Sequence, residues 1–206
     1  MSNSNTLLQV ENLSAWYGRA QAIFDLSLEV KKGEVVALMG ANGAGKSTTL
    51  KAIMNMLERK SGQVIFNGQN ITKAPPYKIA RAGLGFVPED RRVFTELTVK
   101  ENLQTGRQPA RHCSDGEPVY YWTEEALYKL FPNLGKMPDR PGGKMSGGEQ
   151  QMLSVARSLM GNPLMLLLDE PSEGVAPVIV DQMIEMIVEL KQKGISILIS
   201  EQNYHL

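Results

Sequence analysis

The segment Gly40-Ala41-Asn42-Gly43-Ala44-Gly45-Lys46-Ser47 limits what this chain can fold into more than any other feature. It fits the spacing GxxxxGK[ST], and its surroundings fit as well. The apolar run Val35 to Met39 before it reads as a strand buried on both faces. Lys46 to about Leu57 after it reads as a helix. Glycines let a backbone fold around an anion so that its N–H groups converge on phosphate oxygens. The helix N-terminus adds a partial positive charge. Gly40, Ala41, Asn42, Gly43, Ala44, Gly45, Lys46, Ser47 and Thr48 are therefore the candidate nucleotide-binding residues. Lys46, the one charged side chain of the loop, is expected to reach the β and γ phosphates, and Ser47 to ligate Mg²⁺. The loop alone leaves kinase, GTPase, helicase and ATPase chemistry open.

A second constellation narrows that choice. Leu164 to Leu168 is an apolar run ending in Asp169-Glu170. Open parallel sheets place ligands at the carboxyl ends of their strands. Asp169 is expected to face Mg²⁺ through water, and Glu170 to orient or deprotonate an attacking water. Shortly before this run lies Ser146-Gly147-Gly148-Glu149-Gln150. Ser146 with Glu149 three residues on makes a helix capping box. A first turn of Gly-Gly also leaves unshielded N–H groups that can receive an anion, and both readings can hold.

The rest of the chain supplies a frame. Leu7 to Trp16 and Ile23 to Val30 read as strands, as do Gln63 to Phe66, Gln69 to Ile71, Leu84 to Val87 and Ile195 to Ile199. Pro75 to Ala82, Thr98 to Arg107, Thr123 to Phe131 and Ser146 to Met160 read as helices. Pro177 to Lys193 reads as an amphipathic helix with Val180, Met183, Ile184, Ile187 and Leu190 on one face. Gln108 to Tyr120 and Pro132 to Met145 read as loops. The expected fold is α/β, with a mostly parallel core sheet, an N-terminal antiparallel subdomain and a helical subdomain inserted over residues 90–160, in one domain over 1–206. With 22 basic and 22 acidic residues, the formal charge is zero, so no global field draws the chain to nucleic acid. One cysteine, Cys113, rules out an internal disulfide. The N-terminus shows no signal-peptide pattern, and no apolar run approaches the ~20 residues of a spanning helix. A membrane role must come through a partner.

Phosphate loop, SGGEQ and the Asp-Glu strand, in that order, resemble the ABC (ATP-binding-cassette) ATPases. The resemblance runs from near the N-terminus to the end of the chain. It implies two ATPase subunits, of the same or a homologous chain, paired head to tail. Each ATP would lie between the phosphate loop of one and Ser146, Gly147, Gly148 and Glu149 of the other. It also implies that Tyr17 stacks on adenine. Val87 to Leu103, Met145 to Leu153 and Leu166 to Pro177 are similar to the ATPases of branched-chain amino-acid and related polar-solute importers. That implies transmembrane permease subunits and a peripheral position on the cytoplasmic face of a bacterial membrane. Val87 to Asn102, with Arg91, Arg92 and Phe94, is expected to couple hydrolysis to the permease. A soluble ABC ATPase acting on ribosomes or DNA is the alternative. Such proteins carry two cassettes or a long coiled coil, and this chain has neither.

Several positions depart from the broad ABC pattern. Glu89 stands where most members have the glutamine that touches Mg²⁺ and the attacking water. Gln202 aligns with the usual switch histidine, so Gln202 joins Lys46 and Glu170 as a candidate catalytic residue; His205 is out of register. Ala176 replaces an acidic residue, and Glu173 adds a carboxylate where the subgroup tends to be apolar. In the resemblance, more strands and a helix follow the switch, so the C-terminus is expected to be truncated.

Overall fold

The computed structural model describes residues 5–202. In chain order its elements are β1 (Thr6–Tyr17), β2 (Ala20–Lys31), β3 (Val35–Met39), α1 (Lys46–Ile53), β4 (Arg59–Phe66), β5 (Gln69–Asn70), α2 (Pro76–Arg81), β6 (Leu84–Val87), α3 (Val99–Gly106), α4 (Glu124–Leu130), α5 (Pro132–Gly135), α6 (Gly147–Leu159), β7 (Met165–Asp169), α7 (Pro177–Gln192) and β8 (Ser196–Glu201). A 3-10 turn covers Gly142–Lys144.

The strands form two sheets. The first is antiparallel, in the order β2-β1-β4-β5. It buries Leu8, Val10, Leu13 and Ala15 of β1, and Asn12 and Asp25 mark an irregularity in the hairpin where their side chains hydrogen-bond at 2.8 Å. The second is parallel, in the order β3-β8-β7-β6. Its central strands β7 and β8 are buried throughout, and successive residues feed two cores. Leu166, Leu168, Ile197 and Ile199 join one with α3, α4, α6 and α7; Met165, Leu167 and Leu198 join the other with α1, α2 and the antiparallel sheet. This is the period of two, applied to strands covered on both faces.

Four sequence-based expectations need correction. β3 is a rim strand bonded only to β8, with Ala37 and Met39 exposed, so it is not buried on both faces. Helix α1 stops at Ile53, because Met54 caps it and Asn55 turns to φ 55°. On α7 the buried residues are Met183, Met186 and Leu190, with Ile179 and Ile187 packed beside them; Ile184 is exposed. The face is rotated because Ile179 must pack against Gly148 of α6. The stretch Pro132 to Met145 also holds α5 and the 3-10 turn, so it is not all loop.

Helices α3 to α6 lie between β6 and β7, which are neighbours in the sheet, as an inserted helical unit must. Thr98 and Glu101 form a full capping box at the start of α3. The buried Asn102 side chain bonds the backbone of Phe94, Leu97 and Thr98 and so fixes the segment leading into the helix. Helix α3 packs on α6, and Gly106 makes the closest approach. A Cβ there would lie 2.1 Å from the carbonyl oxygen of Arg157. Backbone cannot move aside as a flexible side chain can. Gly106→Ala is therefore expected to lower unfolding free energy by roughly 1–3 kcal/mol, the usual cost of overpacking. An unchanged urea midpoint would contradict this packing.

Candidate functional site

The phosphate loop has the geometry that its sequence requires. Gly43 and Gly45 sit at φ 81° and 89°, a region that only glycine occupies readily. A side chain at Gly45 would also strike Ile23, its Cβ lying 2.7 Å from Cδ1, so β2 packs directly under the loop. The amides of Gly43, Gly45, Lys46, Ser47 and Thr48 donate to no acceptor among the described residues. Such a row of unmatched donors at the start of a helix suits an anion. The Lys46 ammonium folds back onto the loop, donating to the carbonyls of Gly40 at 2.7 Å and Ala41 at 3.1 Å. It also pairs with Glu170 Oε1 at 3.0 Å, and both side chains are buried. Ala41, Asn42 and Ala44 are exposed on the rim.

The carboxyl end of β7 meets this loop. Asp169 is 1% exposed, and its Oδ1 accepts from the Ser47 hydroxyl and the Ser200 hydroxyl, each at 2.8 Å. Glu170 sits at φ 43°, a left-handed conformation that is costly for a residue with a side chain. Its amide donates to Ser200 Oγ at 3.0 Å and to the Ser200 carbonyl at 3.1 Å. Gln202, just past β8, donates to Glu170 Oε2 at 2.5 Å and to Glu173 Oε2 at 3.3 Å. Among the three candidate catalytic residues, Glu170 thus touches both of the others, Lys46 and Gln202. Ser200 and Glu201 were missed by the sequence reading. Glu201 is buried, accepts from the Ser172 amide at 3.1 Å, and its carbonyl accepts from the Gly40 amide. Their signal was register: Ser200 lies opposite Asp169, and Glu201 opposite Met39.

Other sequence candidates lie apart from this cluster. Tyr17 is 51% exposed at the end of the β1–β2 hairpin whose Ile23 supports the loop. Glu89 is exposed beyond β6, near enough for its charge to act on Glu173. Ser146 and Glu149 complete both halves of the capping box at the start of α6, at 2.7 and 3.3 Å. Among the described residues, no hydrogen bond or ion pair joins Ser146–Glu149 to the phosphate loop. His205 lies outside the described residues. The expected coupling residues divide. Phe94 is exposed and lies under the Arg157 guanidinium at 5.0 Å, whereas the Arg91 guanidinium rests on Gly147 of α6.

Two carboxyls, Glu170 and Glu173, accept from the same Gln202 amide and so lie close together. Burial by itself would raise the Glu170 value. Hydrogen bonds with Glu173, Gln202 and Lys46, and the Lys46 charge, outweigh it and hold Glu170 below the ordinary range. Glu173 takes the opposite course. Its hydrogen bond to Glu170, some burial, and the charges of Glu170, Glu89 and Glu201 push it up to about 7. A folded-state value above the unfolded one means that the folded chain holds a proton which the unfolded chain has released. Stability from this group is therefore present below about 4.3, the unfolded value, and is lost as pH rises through about 7. Glu173→Gln removes the group. The melting temperature of the variant relative to the parent should rise between pH 5 and 8; a constant difference would contradict the pairing.

Known proteins resemble this chain over most of its length. The ABC transporter family matches residues 23–173. The high-affinity branched-chain amino acid transport ATP-binding protein BraG of Pseudomonas aeruginosa is 43% identical over 197 residues, which are 96% of this chain and 82% of that protein. The lipopolysaccharide export system ATP-binding protein LptB of Haemophilus influenzae is 33% identical over 198 residues, 96% of this chain and 81% of that protein. A crystal structure of a nucleotide-free ATP-binding cassette from an ABC transporter superposes with a TM-score of 0.78 at 32% identity, covering 96% of this chain and 82% of that one. With its phosphate loop, Asp-Glu strand and capped Ser-Gly-Gly helix in one parallel-sheet fold, this chain belongs to the ABC transporter family of ATP-binding cassettes.

Proposed function

We propose that this chain is the ATP-hydrolysing subunit of a membrane importer for branched-chain amino acids or a similar small polar solute. The observation that carries the enzymatic part is the contact of Glu170 with both Lys46 and Gln202 beside a loop of unmatched amides. The importer part rests on BraG, whose identity exceeds that of the export-system protein by ten points, 43% against 33%.

The proposed chemistry follows from what each group already holds. Lys46 leaves Glu170 for the β and γ phosphates, which replace one buried anion by another. Glu170 is then free to accept a proton from the attacking water, whose oxygen bonds to the γ-phosphorus as the bond to the β,γ-bridging oxygen breaks. Gln202, an amide donor, turns from Glu170 toward the γ-phosphate and carries no proton. Tyr17 stacks on adenine. Among the described residues, no cluster of three or more His, Cys, Asp or Glu could cage a metal ion. That fits Mg²⁺, which takes one or two protein oxygens and completes its shell with water and phosphate. Ser47 and Asp169, already in contact, would hold it, Glu89 beyond β6 would join them in the loaded site, and it would neutralise charge on the transferred phosphoryl group.

The separation of Ser146–Glu149 from the phosphate loop supports a head-to-tail pair, in which α6 of one copy closes the nucleotide site of another ATPase subunit. No helix of the described residues is long and apolar enough to cross a membrane. In the importer reading, translocation falls to permease subunits, which this chain serves from a peripheral position on the cytoplasmic side. A groove of about 390 Å³ between α2–β6 and α3–α6 suits their contact. It is lined by Phe94, Arg81, Arg111 and Arg157, and one buried guanidinium nitrogen of Arg157 has no partner among the described residues.

Glu170→Gln tests the central role. It is expected to bind ATP and to slow phosphate release at least ~100-fold, the scale for losing a general base. Gel filtration should then find a nucleotide-bound dimer with Mg-ATP and a monomer without it. Parental turnover in this variant would move the base elsewhere.

A further inference from the structure

Gly147 poses a question that its backbone does not answer. Its φ is not positive, so helix geometry there accepts any residue. What excludes a side chain is Arg91. A Cβ on Gly147 would lie 2.6 Å from Arg91 Nη1, 3.1 Å from Cζ and 3.2 Å from Nη2. In a helix the Cα–Cβ direction tilts toward the N-terminus. A guanidinium lying where that Cβ would be therefore stands beside the opening of α6. The amides of Gly147 and Gly148 face the same opening and donate to no acceptor among the described residues.

The charge on Arg91 is unmatched. Arg92 pairs with Asp90, and Arg107 with Glu124. Arg91 has no ion pair and no side-chain hydrogen bond among the described residues, although it is half-buried. A guanidinium is a planar fork of donors with no acceptor of its own, so an anion is its natural complement. The backbone is held out of its ordinary range to keep it there. Arg91 and Arg92 are both left-handed, at φ 62° and 47°, and this pair of conformations is costly for residues with side chains. The Arg91 amide bonds Pro88 at 3.2 Å, and Arg157 bonds the Arg92 carbonyl at 2.7 Å, which fixes the turn from both ends.

We infer that Arg91 is a phosphate-contacting residue, adding its guanidinium to the Gly147 and Gly148 amides in holding the terminal phosphate of the nucleotide bound by the partner subunit. This rests on the head-to-tail reading above and extends it to a residue outside the Ser-Gly-Gly helix. Arginine suits the task because its fork can take two oxygens of a phosphate at once. The placement also has a consequence for communication. Glu89, proposed to serve the chain's own nucleotide, and Arg91, serving the partner's, lie two residues apart on the same turn.

The test uses the Glu170→Gln chain, whose ATP persists. The Mg-ATP concentration that gives half-maximal dimer is measured by light scattering for this parent and for versions that also carry Arg91→Ala, Arg91→Gln or Arg91→Lys. Binding of a fluorescent ATP analogue to dilute, monomeric protein is measured in parallel. Arg91→Ala and Arg91→Gln are each expected to raise the required ATP about tenfold or more, the scale of a lost charge-assisted contact. Arg91→Lys should recover part of the loss as a point charge without the fork. Monomer binding should be unchanged, because in this proposal Arg91 serves only the partner's nucleotide. Dimerisation at parental ATP in both Arg91→Ala and Arg91→Gln overturns the proposal, as does an equal loss in monomer binding. A parent that stays monomeric in Mg-ATP instead refutes the head-to-tail reading, and the role of Arg91 falls with it.

Discussion

Pairing between β7 and β8 is the constraint on which the rest of the site depends. In that register Asp169 lies opposite Ser200. The Ser200 hydroxyl then donates to Asp169 and accepts from the Glu170 amide, so a single hydroxyl fixes both neighbouring acids. A shift by one residue would turn every side chain of these buried strands to the other face. It would also carry Glu170 away from Lys46. Leu166, Leu168, Ile197 and Ile199 on one face and Met165, Leu167 and Leu198 on the other oppose such a slip. Hydrophobic packing thus sets the position of a charge, and the cores flanking β7 and β8 lock the acids in place.

The Lys46–Glu170 pair is costly to isolate and easy to exchange. Both side chains are buried, and removing water from a carboxylate and an ammonium is paid back only when each finds good partners. Lys46 has two carbonyls besides Glu170, and Glu170 has Gln202. A phosphate arriving at the loop offers Lys46 a replacement anion and meets the unmatched amides at the same time. In the proposed function, nucleotide binding therefore releases the base as it supplies the group to be attacked. Gln202 is drawn the same way, since its amide is now spent on Glu170 and Glu173.

Much of this was legible in the sequence, where local chemistry leaves few options. The glycines of the loop, the apolar run ending in Asp169-Glu170, and the Ser146/Glu149 box each follow from short-range rules, and the structure has all three. What could not be read depends on long-range register and close approach. Ser200 has no motif of its own; only its place opposite Asp169 gives it a task. Gly147 read as a bare helix start, but it also clears space for Arg91, more than fifty residues earlier in the chain. The buried face of α7 was misjudged at Ile184 because several apolar faces overlap on that helix, and contact with Gly148 chooses among them. β3 read as a central strand because its composition matches one, yet sheet order is not encoded in a five-residue run.

The account turns on Lys46 passing from Glu170 to phosphate, and equilibrium titration of the Lys46→Ala chain with ATP, alongside phosphate release, tests it most directly. The account predicts an ATP affinity lowered about tenfold or more, the scale of a lost charge-assisted contact, and turnover near background. AMP, which lacks the β and γ phosphates, should bind the parent and the variant alike. An Lys46→Ala chain that binds ATP with parental affinity and hydrolyses it at the parental rate would contradict the account.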